Sequence, residues 1–173
     1  FSRLMRLILE NSRHETITLE KELESVKLYL LMESLRFSNA FEYKLHIDES
    51  IYEAIIHVPP LIIQPFLENS IWHGLMPKNG TRTLDLDLQL VGHALYIDIT
   101  DNGIGRVKSE SLKSKKTNLR KSHGLEITKN RIHYHNPLNT VQIIDLYNDN
   151  GEPLGTKVNI VIILTGESEL NQN

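Results

Sequence analysis

Asn69 and His73 stand four residues apart in the stretch P-P-L-I-I-Q-P-F-L-E-N-S-I-W-H-G, residues 59–74. Leu61, Ile62, Ile63, Phe66, Leu67 and Ile71 fall mostly at helical spacing. Pro59 and Pro60 suit a helix's first turn but not its interior, so the stretch predicts a helix that Gly74 ends. On such a helix Asn69 and His73 share one face, with Pro65 on it one turn earlier. A neutral amide oxygen on a rigid element, next to an imidazole, suits Mg²⁺ with polyphosphate. Magnesium takes one or two protein oxygens and completes its shell with phosphate oxygens and water. The same residues also suit a buried, hydrogen-bonded amide and an ordinary helix end, and the stretch by itself leaves both readings open.

A second candidate is T-D-N-G-I-G, residues 100–105. Asp101 presents a fixed carboxylate acceptor just beyond a strand, while Gly103 and Gly105 permit a sharp turn and close approach of backbone to a ligand. The exocyclic amine of a purine matches that acceptor; a plain D-N-G turn is the competing reading. Residues 106–122 are polar, with five lysines and two arginines and few apolar anchors. A stretch of that kind suits a mobile flap over phosphates or a merely solvated loop. Gly124 then opens a helix through Ile132, whose first amides would face an anion. His123, His133 and His135 lack acidic or thiolate partners at ligand spacing and read as surface residues rather than a metal site.

The elements that must position these residues follow from periodicity. Residues 1–13 form the end of an amphipathic helix. Thr18 caps a second helix with Glu20 and Glu22 in its first turn. Along it Leu19, Leu23, Val26, Leu30 and Phe37 make a four-three seam that Glu33 interrupts, suited to packing on another helix or on the domain's own core. Phe41 to Ile47, Ala54 to Val58, Leu84 to Leu90, Leu95 to Ile99, Val141 to Tyr147 and Lys157 to Leu164 read as strands, the third and fourth as a hairpin with one wet face. Mixed strands with at least two long helices predict an α+β, two-layer sandwich. The expected organisation is a helical segment over 1–39, a compact domain over 40–165 and a disordered tail over 166–173.

Composition narrows the function. The 173 residues carry a net charge of -3, and the 19 basic residues are scattered except around Lys108 to Lys121, which argues against a nucleic-acid partner. There is no cysteine, so disulfides and thiolate metal sites are excluded. No apolar run approaches the roughly 20 residues needed to span a bilayer. The chain opens without methionine inside a helical pattern, and the expectation is a piece of a longer protein with a membrane part upstream.

Taken in order, an Asn on a helix, a hairpin strand into D-x-G-x-G, a basic flap, a helix-opening Gly and a strand pair carrying Gly-Thr resemble the Bergerat nucleotide-binding fold of the GHKL superfamily. Residues 59–74 are similar to the N box of LytS/YehU-type sensor histidine kinases, close to P-P-L-L-L-Q-P-L-V-E-N-A-I-K-H-G. L-E-K-E-L-E-S-V-K-L-Y-L-L-M-E-S-L-R-F, residues 19–37, resembles that family's segment ahead of the kinase domain. The resemblance covers about residues 1–164. It implies ATP and Mg²⁺, with Asn69 as the Mg²⁺ ligand and Asp101 as the acceptor for the adenine amine. It also implies Gly103 and Gly105 around the adenine and Gly124 with Leu125 beside the phosphates. His73 and Thr156 would line the site, Lys78 and Arg131 would be further contacts, and Glu68 is a candidate catalytic carboxylate beside Asn69.

The chain departs from the pattern at Trp72, where the family has lysine, at His123 in place of a glycine, and at Ile127 in place of an asparagine. These departures bear on how tightly ATP is held. The family's phosphoacceptor histidine lies in a P-H-F-L-F-N-type segment that these residues do not contain, and His14 stands outside any such context. The expectation is ATP binding without self-phosphorylation. Pro65 occupies the position of the water-activating glutamate of the superfamily's ATPases, which favours phosphoryl transfer to a histidine over hydrolysis. The implied protein is the cytoplasmic catalytic domain of a membrane sensor kinase that dimerises through its N-terminal helices and relays phosphate to a response regulator receiver domain. Two alternatives stand beside it: a degenerate interaction module without catalysis, and a GHKL-type ATPase.

Overall fold

The two period-two stretches at 84–90 and 95–99 become the centre of a five-stranded sheet. The computed structural model describes residues 2–112 and 115–164, and side chains outside 112–123. The expected disordered tail, 166–173, lies outside the described residues.

In chain order the elements are α1 (Ser2–Asn11), β1 (Ile17–Thr18), α2 (Leu19–Arg36), β2 (Glu42–Ile47), α3 (Glu49–Glu53), β3 (His57–Val58) and α4 (Gln64–Asn69). A π-helical turn, Ser70–Leu75, continues α4; β4 (Thr83–Val91), β5 (Ala94–Asp101), α5 (Arg106–Leu112), α6 (Lys115–His135), β6 (Thr140–Tyr147) and β7 (Pro153–Ile163) complete the chain. The large sheet has the order β2-β4-β5-β7-β6, with β2 parallel to β4 and the other pairs antiparallel. β1 and β3 form a separate antiparallel pair.

Register sorts the side chains into rows across the sheet. Leu45, Leu86, Ile99, Val158 and Ile143 form one row, and Ile47, Leu88, Ile97, Ile160 and Val141 the next. Between them on the other face run His46, Asp87, Asp98, Asn159 and Gln142. On that wet face Asp98 accepts from Asn159 Nδ2 at 2.6 Å and pairs with Lys157 at 2.7 Å. The apolar face is covered by helices, through Leu19, Leu23, Val26 and Leu30 of α2, Ile62 to Ile71 around α4, and Ile132 of α6. The four-three seam of α2 therefore packs on its own domain's core and on α1, where Asn11 Nδ2 donates to Ser25 Oγ at 3.1 Å. Thr18 caps α2 as expected, accepting from the Lys21 amide.

Three expectations are corrected. The helix predicted from Pro59 begins at Gln64 instead: Pro59 and Pro60 lie in the preceding turn, and Pro65 is the proline in the helix's first turn. The predicted strand Ala54 to Val58 shrinks to the two residues of β3, which pair only with the two residues of β1, while Ala54 caps the end of α3. The expected irregular flap over 106–122 is helical at Arg106–Leu112 and from Lys115 onward.

Because the two sheet faces differ in what covers them, truncation on each should cost differently. Ile97→Ala, on the helix-covered face, is expected to lower stability by about 2–5 kcal/mol, and Tyr96→Ala, on the wet face, by no more than about 1 kcal/mol. Urea unfolding of the two variants measures the difference, and equal losses would contradict the assignment of faces.

Candidate functional site

Asp101 continues the buried alternation Leu95, Ile97, Ile99, so a carboxylate stands where the pattern places an apolar side chain. It is 2% exposed. Its row across the sheet is Tyr43, Leu84, Asp101, Thr156 and Asp145. Oδ1 accepts the Gly103 amide at 2.8 Å. Burial pushes its carboxyl above the usual range, and hydrogen bonds from Gly103, Ser70 and Thr156, with the charge of Lys78, pull it part of the way back.

Backbone packs closely around Asp101, against its carboxylate at Gly74, against Gly74 itself at Gly103, and against its main chain at Gly155. A Cβ on Gly74 would lie 2.9 Å from Asp101 Oδ1, one on Gly103 would lie 2.4 Å from the Gly74 carbonyl carbon, and one on Gly155 would lie 1.9 Å from the Asp101 carbonyl oxygen. The π turn makes the first two contacts possible. Its i→i+5 bonding, seen in the Met76 amide to Ile71 carbonyl bond of 2.9 Å, widens the helix and lets the Gly74 carbonyl accept the Ile104 amide at 3.0 Å. Gly105 is left-handed at φ 75° and passes beside Pro153, so it too admits no side chain.

The remaining predicted residues are placed as follows. Asn69 ends α4, half-buried, one residue before Ser70, whose hydroxyl bonds Asp101. His73 is half-buried in the π turn, where four-residue spacing no longer means one face, and Gly74 lies within that turn rather than ending the helix. Glu68 is exposed. Thr156 is buried in β7 opposite Asp101. Lys78 donates to the Asn102 carbonyl, one residue beyond Asp101.

Gly124 departs from expectation, while Leu125 and Arg131 make contacts within the fold. Gly124 sits inside α6 rather than at its start, so its amide is taken up by the helix, and its carbonyl accepts from Thr128 Oγ1 at 3.0 Å. Leu125 packs against the core. Arg131 Nη1 donates to the Pro60 carbonyl at 2.8 Å, ahead of α4. The side chain of His123 lies outside the described residues. Sequence reasoning missed Ser70 as a partner of Asp101, and took Gly155 only as half of a Gly-Thr pair. The signal was Ser70 and Gly74 four apart beside an acidic residue at a core-face position. Among the described residues no cluster of three or more His, Asp or Glu could hold a metal by itself, so a metal here would rest on Asn69 with oxygens from a ligand.

A mixed sheet with helices on one face, and a buried aspartate at the end of a central strand, defines a class. The solved mycobacterial sensor histidine kinase MprB aligns with a TM-score of 0.57 at 18% identity, over 87% of this chain and 97% of that chain. A catalytic domain of the histidine kinase ThkA aligns with a TM-score of 0.60 at 14% identity, over 88% and 100%. The fold is that of the catalytic ATPase domains of histidine kinases.

A family model described as Histidine kinase matches residues 1–41. Sensor protein LytS of Staphylococcus epidermidis is 38% identical over 104 residues, 60% of this chain and 17% of that protein. Sensor protein LytS of Enterococcus faecalis is 31% identical over 123 residues, 71% and 20%. Sensor histidine kinase YpdA of Escherichia coli is 34% identical over 104 residues, 60% and 18%. The resemblance read from residues 19–37 and 59–74 holds: the chain is a relative of the LytS-type sensor histidine kinases. It spans 17 to 20% of the length of these curated relatives.

Two measurements test the local physics. A carboxyl whose folded pKa is raised favours the folded state only while protonated, so the contribution of Asp101 is lost as pH rises from its ordinary 3.8 through the raised value. The stability of Asp101→Asn relative to the native chain should therefore increase between pH 4 and pH 7, and a constant or shrinking difference in urea midpoints would contradict the assignment. Gly124, inside a helix with nothing within 4 Å of a built Cβ, should gain stability on Gly124→Ala. The expected gain is about 0.5–1 kcal/mol, read by thermal unfolding.

Proposed function

We propose that this chain is the ATP-binding catalytic part of a sensor histidine kinase, holding Mg²⁺-ATP between Asp101 and Asn69. The observation that carries this reading is the Asp101 site itself. A buried carboxylate acceptor has Gly74 close against it, with Gly103 packed on the Gly74 backbone and Gly155 on the Asp101 main chain, and the exocyclic amine of a purine matches such an acceptor. The donor set suits the group: one carboxylate for the amine, and one amide oxygen at Asn69 that leaves most of a magnesium shell to phosphate and water.

When bound, ATP supplies the phosphoryl group. The chain's own residues bind and orient it. Asp101 would accept from the amine of the base, and Asn69, from the adjoining helix, would hold the metal with the polyphosphate. Pro65 offers no base one turn before Asn69, so the site positions and neutralises charge rather than activating water. Glu68, exposed beside Asn69, is the carboxylate available to a nucleophile brought in from outside. That nucleophile would be a histidine of the upstream segment, with the phosphate passed on to a response regulator receiver domain.

The full protein is expected to dimerise on the side of the N-terminal helices, 1–39, whose α2 packs its apolar seam on the core of the catalytic domain, 40–165, on the cytoplasmic side of a membrane sensor. No helix among the described residues is long and apolar enough to cross a membrane.

Calorimetric titration with a non-hydrolysable ATP analogue, with and without Mg²⁺, tests the reading. Asp101→Asn should weaken binding by roughly 10- to 150-fold, the loss of one hydrogen bond to a charged acceptor worth about 1.5–3 kcal/mol. Asn69→Ala should abolish the gain that Mg²⁺ gives. Absence of binding by the native chain at millimolar nucleotide would instead support an interaction module, the reading that Trp72 favours through its burial under Arg36 and against Phe37.

A further inference from the structure

Glu22 has no part in the nucleotide site, yet its buried carboxylate accepts three backbone amides. It is 1% exposed. Its Oε2 accepts the Leu61 amide at 2.9 Å, and its Oε1 accepts the Ile62 and Ile63 amides at 2.9 and 3.1 Å. These three amides lead directly into α4. The residue at the cap position, Ile63, has a side chain that cannot cap, and no side-chain cap bond is formed there. Glu22 thus supplies from another helix, some 40 residues away, the anchor that α4 lacks locally.

Two further features show how firmly this turn is defined. Leu61 has φ 59°, a left-handed conformation that a leucine keeps only when its surroundings over-determine it. On the other flank, Arg131 of α6 donates to the Pro60 carbonyl at 2.8 Å. Farther along α2, the Arg36 guanidinium lies 4.6 Å from the Trp72 ring centroid, and Phe37 meets Trp72 edge-on at 5.0 Å. α2 therefore runs alongside residues 61–72 in the same direction, fixed to them at both ends, with Asn69 between the two fixings.

We propose that Glu22 is a positioning residue for the metal half of the nucleotide site: by holding the amides of 61–63 it sets the rotation and rise of the helix that presents Asn69. The inference rests on the nucleotide-binding reading above. Ser70 and Gly74 have their own anchors at Asp101 and Ile104. Loosening at 61–63 is consequently felt at Asn69, on the near side of those anchors, before it reaches the adenine half.

Glu22→Gln tests this, because it keeps one acceptor oxygen and sets an NH₂ group against one of the three amides. Titrations with an ATP analogue, with and without Mg²⁺, are made at a temperature where circular dichroism shows the variant fully folded. The affinity without Mg²⁺ is expected to stay within about twofold of the native chain, while the gain on adding Mg²⁺ falls at least fivefold. A purely structural Glu22 would lower the melting temperature and leave both affinities of the folded protein unchanged, and that result overturns the proposal. If Glu22→Gln does not fold, the double variant Leu61→Gly/Glu22→Gln, which removes the left-handed leucine with the anchor, is measured in the same way against Leu61→Gly. Asn69→Ala is the control. If it retains the Mg²⁺-dependent gain, the nucleotide reading fails; if it loses the gain and Glu22→Gln does not, only the positioning role fails.

Discussion

The burial of one carboxylate on the apolar face of the sheet constrains most of what surrounds it. Asp101 occupies a core-face position, and taking a charge out of water costs several kcal/mol unless donors replace the solvent. Here the donors are the Gly103 amide at 2.8 Å and the Ser70 hydroxyl, with Thr156 beside it. For those groups to come close, the backbone at 74, 103 and 155 must pass where a Cβ would collide. The π turn follows from the same demand: it delivers the Gly74 carbonyl to the Ile104 amide while keeping Ile71 and Leu75 in the core. A glycine rule that looks like loop chemistry in the sequence is, in the fold, the consequence of a buried acceptor.

A second constraint runs along α2. Its inward face alternates between apolar packing and polar ties, from Glu22 through Val26 and Leu30 to Glu33. The middle of this seam is incompletely satisfied: Glu33 Oε2, the Tyr29 hydroxyl and Gln64 Oε1 are buried without a hydrogen-bond partner. The hydroxyl of Tyr29 lies near the Trp72 indole without reaching hydrogen-bond geometry, and burial pushes its pKa upward. Arg36 approaches Glu33 Oε1 at 3.6 Å, too far for a strong bond to a carboxylate this buried. The polar groups of the seam are thus well bonded at the end held by Glu22 and under-bonded in the middle, where the apolar packing of Val26 and Leu30 holds the helix to the core.

Much of this architecture was legible in the residues. The alternation at 84–90 and 95–99 gave the hairpin with its wet face, Thr18 gave the start of α2, and Asp101 with Gly103 and Gly105 marked the turn where backbone comes close. What the sequence could not show arose from contacts distant along the chain. Pro59 and Pro60 look like a helix start, but Glu22 captures the three amides that follow, and the helix waits until Gln64. Gly124 looks like a helix opening, yet in the absence of anything packed against it the polar stretch before it continues as helix. The π turn has no local signature, since the segment that packs on it, at Gly103 and Ile104, lies nearly 30 residues downstream.

Trp72 shows why a departure from a family pattern has to be weighed in three dimensions. At the position where the LytS/YehU pattern carries a lysine, this chain places an indole, and read along the sequence a cation is lost. In the fold the Arg36 guanidinium lies over that indole, 4.6 Å from its centroid, and Phe37 closes the edge. A cation over an aromatic face is stabilised by the ring's quadrupole, by about 0.5–1 kcal/mol where exposed and more where water is excluded. A positive charge therefore stands beside the π turn, but it comes from α2 rather than from the helix that carries Asn69. The same substitution that removes a lysine binds α2 to the π turn, so a change in the set of α2 would move the guanidinium and that turn together.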